Sequence, residues 1–412
     1  MHILIICHYF HPEISAPSAR LYEMGRTWVE LGHQVTVATC FPNHPHGRIP
    51  EEYRGKYFTK ESLDGMTVLR NFVFAAPNQG VFKKTLGHLS FMCSSLLLST
   101  RPCGRPDVIL VSSPTFFSVY TALALSKIKS CPFIFEVRDL WPAIFVDLGV
   151  IRNRHIIRIL EQQELVLYRA ASRVVTVTES FAQDIVSRGI PASKVAVITN
   201  GVDVDRFSPG PIDQELRSEL GLEGKFVISY LGAHGISHGL DAVLKMAERL
   251  KGYDDIRVLM VGDGAKKQDL AAARERLGLD NVLMLPGQPR EMMPRLYRAS
   301  DVLLVPLRDI PLFDTFIPSK MFEIMSCGRP ILGSVRGEAR RILEKSQAAI
   351  ITDPEDVDQM TAGVLRLYHD RDLGLELGRN GRRFVTARYA RPQLAADYLR
   401  LLEGAMAETK RQ

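Results

Sequence analysis

Short runs rich in Val, Ile and Leu, alternating with helix-spaced stretches, constrain this chain more than any other feature. In the first half the runs are ILIIC (3–7), QVTVAT (34–39), TVLRNFVF (67–74), DVILVS (107–112), PFIFEV (132–137), RVVTVT (173–178) and VAVIT (195–199). In the second half they are FVISYL (226–231), IRVLMV (256–261), NVLMLP (281–286), DVLLVP (301–306), PILGS (330–334) and AIIT (349–352). Runs without a polar face suit strands buried on both sides, and helix-length connections suit parallel pairing. Between the runs, Leu21, Met24, Trp28 and Leu31 recur at helical spacing before Gly32, and Leu240, Val243, Leu244, Ala247 and Leu250 line one helical face. The fold class predicted is α/β, with two doubly wound domains in tandem. A length of 412 residues, too great for one ordinary core, agrees. The boundary is expected in TNGVDVDRFSPGP (199–211), which is turn-rich and carries two prolines at its end. After residue 353 the chain reads as mostly helical.

Composition narrows the partners. A net charge of +6 suits an anionic substrate or an anionic membrane surface and requires neither; nucleic acid is not expected as a partner. Cys7, Cys40, Cys93, Cys103, Cys131 and Cys327 form no C-x-x-C pair, as in a reduced cytoplasmic protein. MHILIICHYF lacks a basic leader and reads as a first buried strand. No segment has the ~20 apolar residues needed to span a bilayer. LGHLSFMCSSLLLST (86–100), with Lys83 and Lys84 before it and Arg101 after it, reads as a half-buried helix or as an interfacial one resting on a membrane.

Ligands of doubly wound sheets bind at the carboxyl ends of the strands, so two such domains facing each other would form a deep cleft. IPSKMFEIMSCGRPI (317–331) is the strongest motif there. Pro318 suits a first helical turn. Ser319 and Lys320 would then meet a diphosphate with a hydroxyl, free N–H groups and an ammonium. Glu323 lies one turn along on the same face, where a carboxylate can accept two ribose hydroxyls. The alternative is a surface i,i+3 ion pair. GAHGISHG (232–239), between a strand and a helix, is glycine-spaced like a phosphate cradle but offers only His234 and His238 as bases. It can be read as a phosphate-facing turn, a metal site or a bare turn. No third metal ligand is visible, and the phosphate-facing reading is favoured, with Gly235 and Gly239 letting the backbone approach.

Taken together the motifs resemble the retaining GT-B glycosyltransferases, the large bacterial family with sucrose synthase-like and mannosyltransferase-like members. YFHPEISAPSAR (9–20), GHQVTVAT (32–39), TNGVDVDRFSP (199–209) and PSKMFEIMSCGRPI (318–331) carry the resemblance over nearly the whole length. FEVRDLWP (135–142) with PNHPHGRIPEEYRGK (42–56) resembles the aminosugar, N-acetylfucosamine-type, transferases of O-antigen and capsule assembly. The resemblance implies an acceptor-binding Rossmann-like domain over 1–198 and a nucleotide-sugar-binding one over 199–390. A last helix, 391–412, would pack back on the first. It also implies a UDP-sugar donor, a polyprenyl diphosphate-linked sugar as acceptor, no cofactor and no metal, and a cytoplasmic, peripheral location at the inner membrane face. Lys320 would serve the diphosphate, Glu323 the ribose and Gly287 the turn beside the base. Glu338 would lie near the same cleft end.

This chain departs from the family pattern at several points. Thr315 stands where the first of two donor glutamates is expected, which points to Asp314 as a substitute. His238 replaces a lysine, exchanging a fixed cation for a ring with a reference pKa of about 6.5 that a bound diphosphate would raise. Arg138 replaces a histidine beside Asp139, the candidate for orienting the sugar or the acceptor hydroxyl; a helix cap or a salt bridge to Arg138 is the plainer role for Asp139. Ser15–Ala16–Pro17–Ser18 replaces paired glycines, leaving the amides of Ala16 or Ser18 to approach the sugar. His8 and His11 are expected to face the cleft, and Arg20 to be structural. Asp203-x-Asp205, His44 with His46, and the Gly262–Asp263–Gly264 turn carry no clear chemistry. The reaction expected is transfer with retention, the leaving phosphate taking the acceptor's proton. A nucleotide-sugar epimerase on the same architecture and a non-catalytic nucleotide-binding module are the rivals.

Overall fold

The computed structural model describes all residues except 14, 45–46, 77–80, 114, 144–145, 147–150 and 410–412. The chain divides into two compact units: Met1–Asn200 with Arg391–Gln412, and Gly201–Ala390. The first is built on β1 (His2–Ile6), β2 (Gln34–Cys40), β3 (Phe58–Leu63), β4 (Met66–Asn71), β5 (Val108–Ser112), β6 (Phe133–Val137), β7 (Arg173–Thr176) and β8 (Val195–Val197). They form one sheet in the order β3-β4-β2-β1-β5-β6-β7-β8, parallel apart from the β3–β4 hairpin. The hairpin was not expected; it turns at Asp64–Gly65, both at positive φ, as a two-residue turn requires. Strands β1 and β5 are fully buried apart from His2.

Helices α1 (Ala16–Glu30), α2 (Val81–Ser99), α3 (Ser118–Lys129) and α4 (Arg154–Ala170) belong to this unit. In α1, Leu21, Met24 and Trp28 face the core, as their spacing predicts, whereas Leu31, just past the helix end, is exposed. Helix α2 buries Phe91, Ser94, Ser95 and Ser99 and exposes Leu86 and Leu97, so it is half-buried. Among the described residues no helix is long and apolar enough to cross a membrane.

The second unit carries β9 (Phe226–Leu231), β10 (Ile256–Val261), β11 (Val282–Leu285), β12 (Val302–Pro306), β13 (Ile331–Ser334) and β14 (Ala349–Thr352), all parallel in the order β11-β10-β9-β12-β13-β14. The order reverses between β9 and β12, so the loops leaving those two strands flank a switch-point crevice. Helix α5 (Leu240–Arg249) follows β9; α6 (Lys320–Ser326) and α7 (Gly337–Ser346) flank β13. The chain then returns to the first unit as α8 (Arg391–Thr409). There Tyr398 packs edge-on against Trp28, whose indole N–H donates to the Ala395 carbonyl (3.0 Å).

Candidate active site

At the switch point of the second unit, Tyr230 stands one residue from the end of β9, fully buried, its hydroxyl donating to the Ala233 carbonyl (2.7 Å). Lys320, at the start of α6, holds its ammonium 3.8 Å from the centre of the Tyr230 ring. An aromatic face attracts a cation but accepts little hydrogen bonding. The Nζ is out of solvent with no hydrogen-bond partner among the described residues. Burial draws the Lys320 pKa down to about 7, with Glu323 opposing. Lys320 and Glu323 are therefore not a surface ion pair. The site holds a buried donor with three N–H bonds to give, an arrangement an anionic ligand would satisfy.

Close backbone packing makes room for that ammonium. A Cβ at Gly232 would stand 2.6 Å from Lys320 Nζ, and one at Gly262 would stand 1.8 Å from the Gly232 carbonyl oxygen. The Gly262–Asp263–Gly264 turn is thus a packing partner of the loop after β9 rather than a plain strand-to-helix turn. Beneath it, His234 is fully buried and both ring nitrogens lack hydrogen-bond partners among the described residues. The rings of His234 and His238 lie 5.9 and 5.8 Å from that of Tyr230.

His238 differs from expectation. Burial, then the Lys320 charge, lowers its pKa to about 4 against a hydrogen bond to Pro306, so the ring is neutral at pH 7. The octapeptide folds as a 3-10 turn over Ile236–His238. Gly239 takes the left-handed conformation (φ 56°) before α5, whereas Gly235 is extended and not bound to be glycine. Both line a cavity of about 160 Å³ with Lys266, Arg308 and Glu355.

Glu323 is held from two sides. Tyr297 donates to Oε2 (2.7 Å), and Arg290 lies 3.9 Å from Oε1. Burial raises its pKa, against Arg290 and Tyr297. Ser319 precedes the helix in right-handed conformation, so Pro318 lies before α6 rather than in its first turn, and the Ser319 side chain makes no cap. Thr315 donates to the Leu312 carbonyl (2.8 Å). The Asp314 backbone is pressed against Gly337, where a Cβ would meet its carbonyl oxygen at 1.9 Å. That contact seats α7, whose Glu338 is buried and pairs with Arg341 (3.3 Å). The Gly287 amide donates to Asp263 Oδ2 (2.7 Å), which fixes the turn after β11.

In the first unit, Ser15 caps α1 by accepting from the Ser18 amide (3.3 Å). Ser18 is itself buried, so its N–H is committed to the cap and does not await a sugar; Ala16 begins the helix. Arg20 joins the buried Glu136 (Nε to Oε2, 3.1 Å) to the carbonyls of Ile198 and Thr199, a structural role. Arg138 is buried too and turns inward to the same carboxylate (Nη1 to Oε1, 4.0 Å) instead of standing open where the replaced histidine was expected. Burial lowers its pKa to about 10. Burial raises the Asp139 pKa, with Arg138 opposing. His8 does not face outward: it is buried edge-on against His88 and Phe91, at 4.9 and 5.2 Å. His11 is exposed and stacks on Tyr22 (4.8 Å).

Asp203 Oδ1 accepts the amides of Asp205 (3.2 Å) and Arg206 (3.0 Å), so that pair shapes a turn. The ring of His44 packs against Tyr9 (5.2 Å), and His46 lies outside the described residues. Among the described residues no group of three or more His, Cys, Asp or Glu side chains could hold a metal ion. Sequence reasoning missed Tyr230, Tyr297 and Glu136; His234 was singled out with its turn, but not its burial. Only Glu136 had a signal, a charged residue inside the apolar strand FIFEV.

Comparison with known proteins agrees with this architecture. The family described as "Glycosyl transferases group 1" matches residues 212–384, and "Glycosyltransferase Family 4" matches 18–206. A putative colanic acid biosynthesis glycosyl transferase, WcaI of Escherichia coli K12, is 26% identical over 376 residues, 88% of this chain and 91% of that protein. Sucrose-phosphate synthase of Thermosynechococcus elongatus superposes with a TM-score of 0.78 at 17% identity, over 99% of this chain and 100% of that one. HepE of Anabaena, in complex with UDP-glucose, gives 0.73 at 18% identity, over 98% and 100%. Residues 212–384 thus carry the group 1 glycosyltransferase family and residues 18–206 glycosyltransferase family 4, and the chain has the GT-B fold.

Proposed function

We propose that the protein transfers a sugar, in this reading an N-acetylated aminosugar, from a UDP-sugar to a polyprenyl diphosphate-linked acceptor in bacterial surface-polysaccharide assembly. The carrying observation is the buried, unpartnered ammonium of Lys320 beside Glu323. Support for the donor comes from HepE, solved with UDP-glucose, and for the pathway from WcaI, named for colanic acid biosynthesis.

Transfer forms a bond from the acceptor oxygen to the anomeric carbon and breaks the bond to the β-phosphate oxygen. The configuration is retained and the leaving phosphate takes the acceptor's proton. Lys320 neutralises the charge that grows on the diphosphate. Glu323 accepts ribose hydroxyls through the lone pairs that Tyr297 leaves. His238, Ser319 and the 235–239 turn lie along the phosphates, Gly287 beside the base, and Glu338 nearby. Asp139 orients the acceptor hydroxyl, with Ala16 and His11 lining the acceptor side. No divalent metal takes part, and the protein works at the inner membrane face.

The test incubates UDP-sugars with and without a polyprenyl diphosphate-linked sugar, in EDTA, and determines the anomeric configuration of the product. Acceptor-dependent UDP release with retention is expected. Epimerised donor without acceptor, or transfer only after added metal, would contradict the reading.

A further inference from the structure

The first half of α4 is a stretch of the first unit where apolar and basic side chains are exposed together. One stripe of α4, Glu164, Leu167 and Tyr168, is buried. A second stripe, Ile156, Ile159 and Val166, runs along another face at i, i+3 and i+10. Those side chains are 48%, 57% and 50% exposed. A surface helix needs one apolar stripe, so this one has a second to spare. Every residue from Arg152 to Ile156 is exposed, as is Arg158, and Glu161 is the one exposed acid over 151–161. Gln163, held by the Tyr120 hydroxyl of α3 (2.8 Å), marks where α4 meets its neighbour; most of the helix before it faces solvent. Asn153 accepts the amides of His155 (2.9 Å) and Ile156 (3.3 Å). The first turn is therefore capped in the protein itself.

We propose that the first half of α4 docks on an anionic lipid surface, with Ile156 and Ile159 among the acyl chains and Arg152, Arg154 and Arg158 at the headgroups. Arginines interleaved with isoleucines match a negatively charged interface that is apolar beneath. A second copy of the chain fits less well, because a two-fold contact about α4 would set the arginine cluster against itself. Helix α2 fits less well too: its Lys83 and Lys84 stand nearly four turns from Leu97, its most exposed leucine.

The test is co-sedimentation of the full chain with phosphatidylcholine vesicles, with and without phosphatidylglycerol, in the absence of donor and acceptor. Its outcome is thus separate from that of the proposed reaction. Binding should require phosphatidylglycerol and weaken with salt. Ile156→Asp/Ile159→Asp should lower partitioning about tenfold or more. Arg154→Glu/Arg158→Glu should do likewise, and Leu97→Asp should have little effect. Thermal melting and sedimentation velocity verify that the variants keep their fold and oligomeric state. Unchanged binding by the α4 variants, equal binding to neutral vesicles, an equal loss in Leu97→Asp, or a dimer that the α4 variants dissociate would each overturn the proposal.

Discussion

Lys320 is set apart in the second unit by what surrounds it. Its ammonium rests on the Tyr230 ring, so burial carries its pKa to about 7. A bound diphosphate favours the charged form and raises that value. The sign follows from linkage: donor affinity is fullest below the free-site pKa and declines as pH rises from there towards the bound-site pKa. Between pH 7.5 and 9 the Kd for a UDP-sugar should rise, by at most about tenfold per pH unit. Lys320→Arg, which stays charged, should flatten the profile in titration calorimetry. A wild-type Kd constant over that range would refute this assignment. His238 contributes less there, because its pKa of about 4 leaves the ring neutral well below pH 7.5. The placement of Lys320 and Glu323 on one helix was legible in the sequence, from the pattern that follows Pro318. Tyr230 was not, because periodicity marks a residue as buried without naming the side chain from a distant helix that lies upon it.

The elements follow from local rules where those rules are strong. Ser15 caps α1 as a serine before a helical pattern should. The β3–β4 hairpin went unread although Asp64–Gly65 is a good two-residue turn, because FTKESL has too little apolar alternation to announce a strand. The pairing of the two glycine loops is tertiary and has no local signature. Gly262→Ala should cost ~3 kcal/mol or more, because its Cβ would displace the Gly232 carbonyl on which the seat of Lys320 depends. Urea unfolding measures this. A variant with wild-type stability and wild-type donor affinity would show that the two loops separate freely.

At the scale of the whole molecule, alternating apolar runs foretold two parallel sheets, and the sheets are there with β3 added. The return of α8 to the first unit was implied by family resemblance rather than by composition, since its contacts with Trp28 span more than three hundred residues. The inward turn of Arg138 was hidden for a related reason: Glu136, Arg20 and Arg138 meet only once β6 and α1 are in place. The central claim, that the second unit binds a nucleotide-sugar diphosphate at Lys320, reduces to one comparison. Titration calorimetry of UDP at pH 7.0 into the wild type and Lys320→Ala, both verified by thermal melting, tests it most directly. Losing a charge-assisted contact of about 1.5–3 kcal/mol should weaken UDP binding about 10- to 150-fold. An equal Kd for the two proteins would contradict the account.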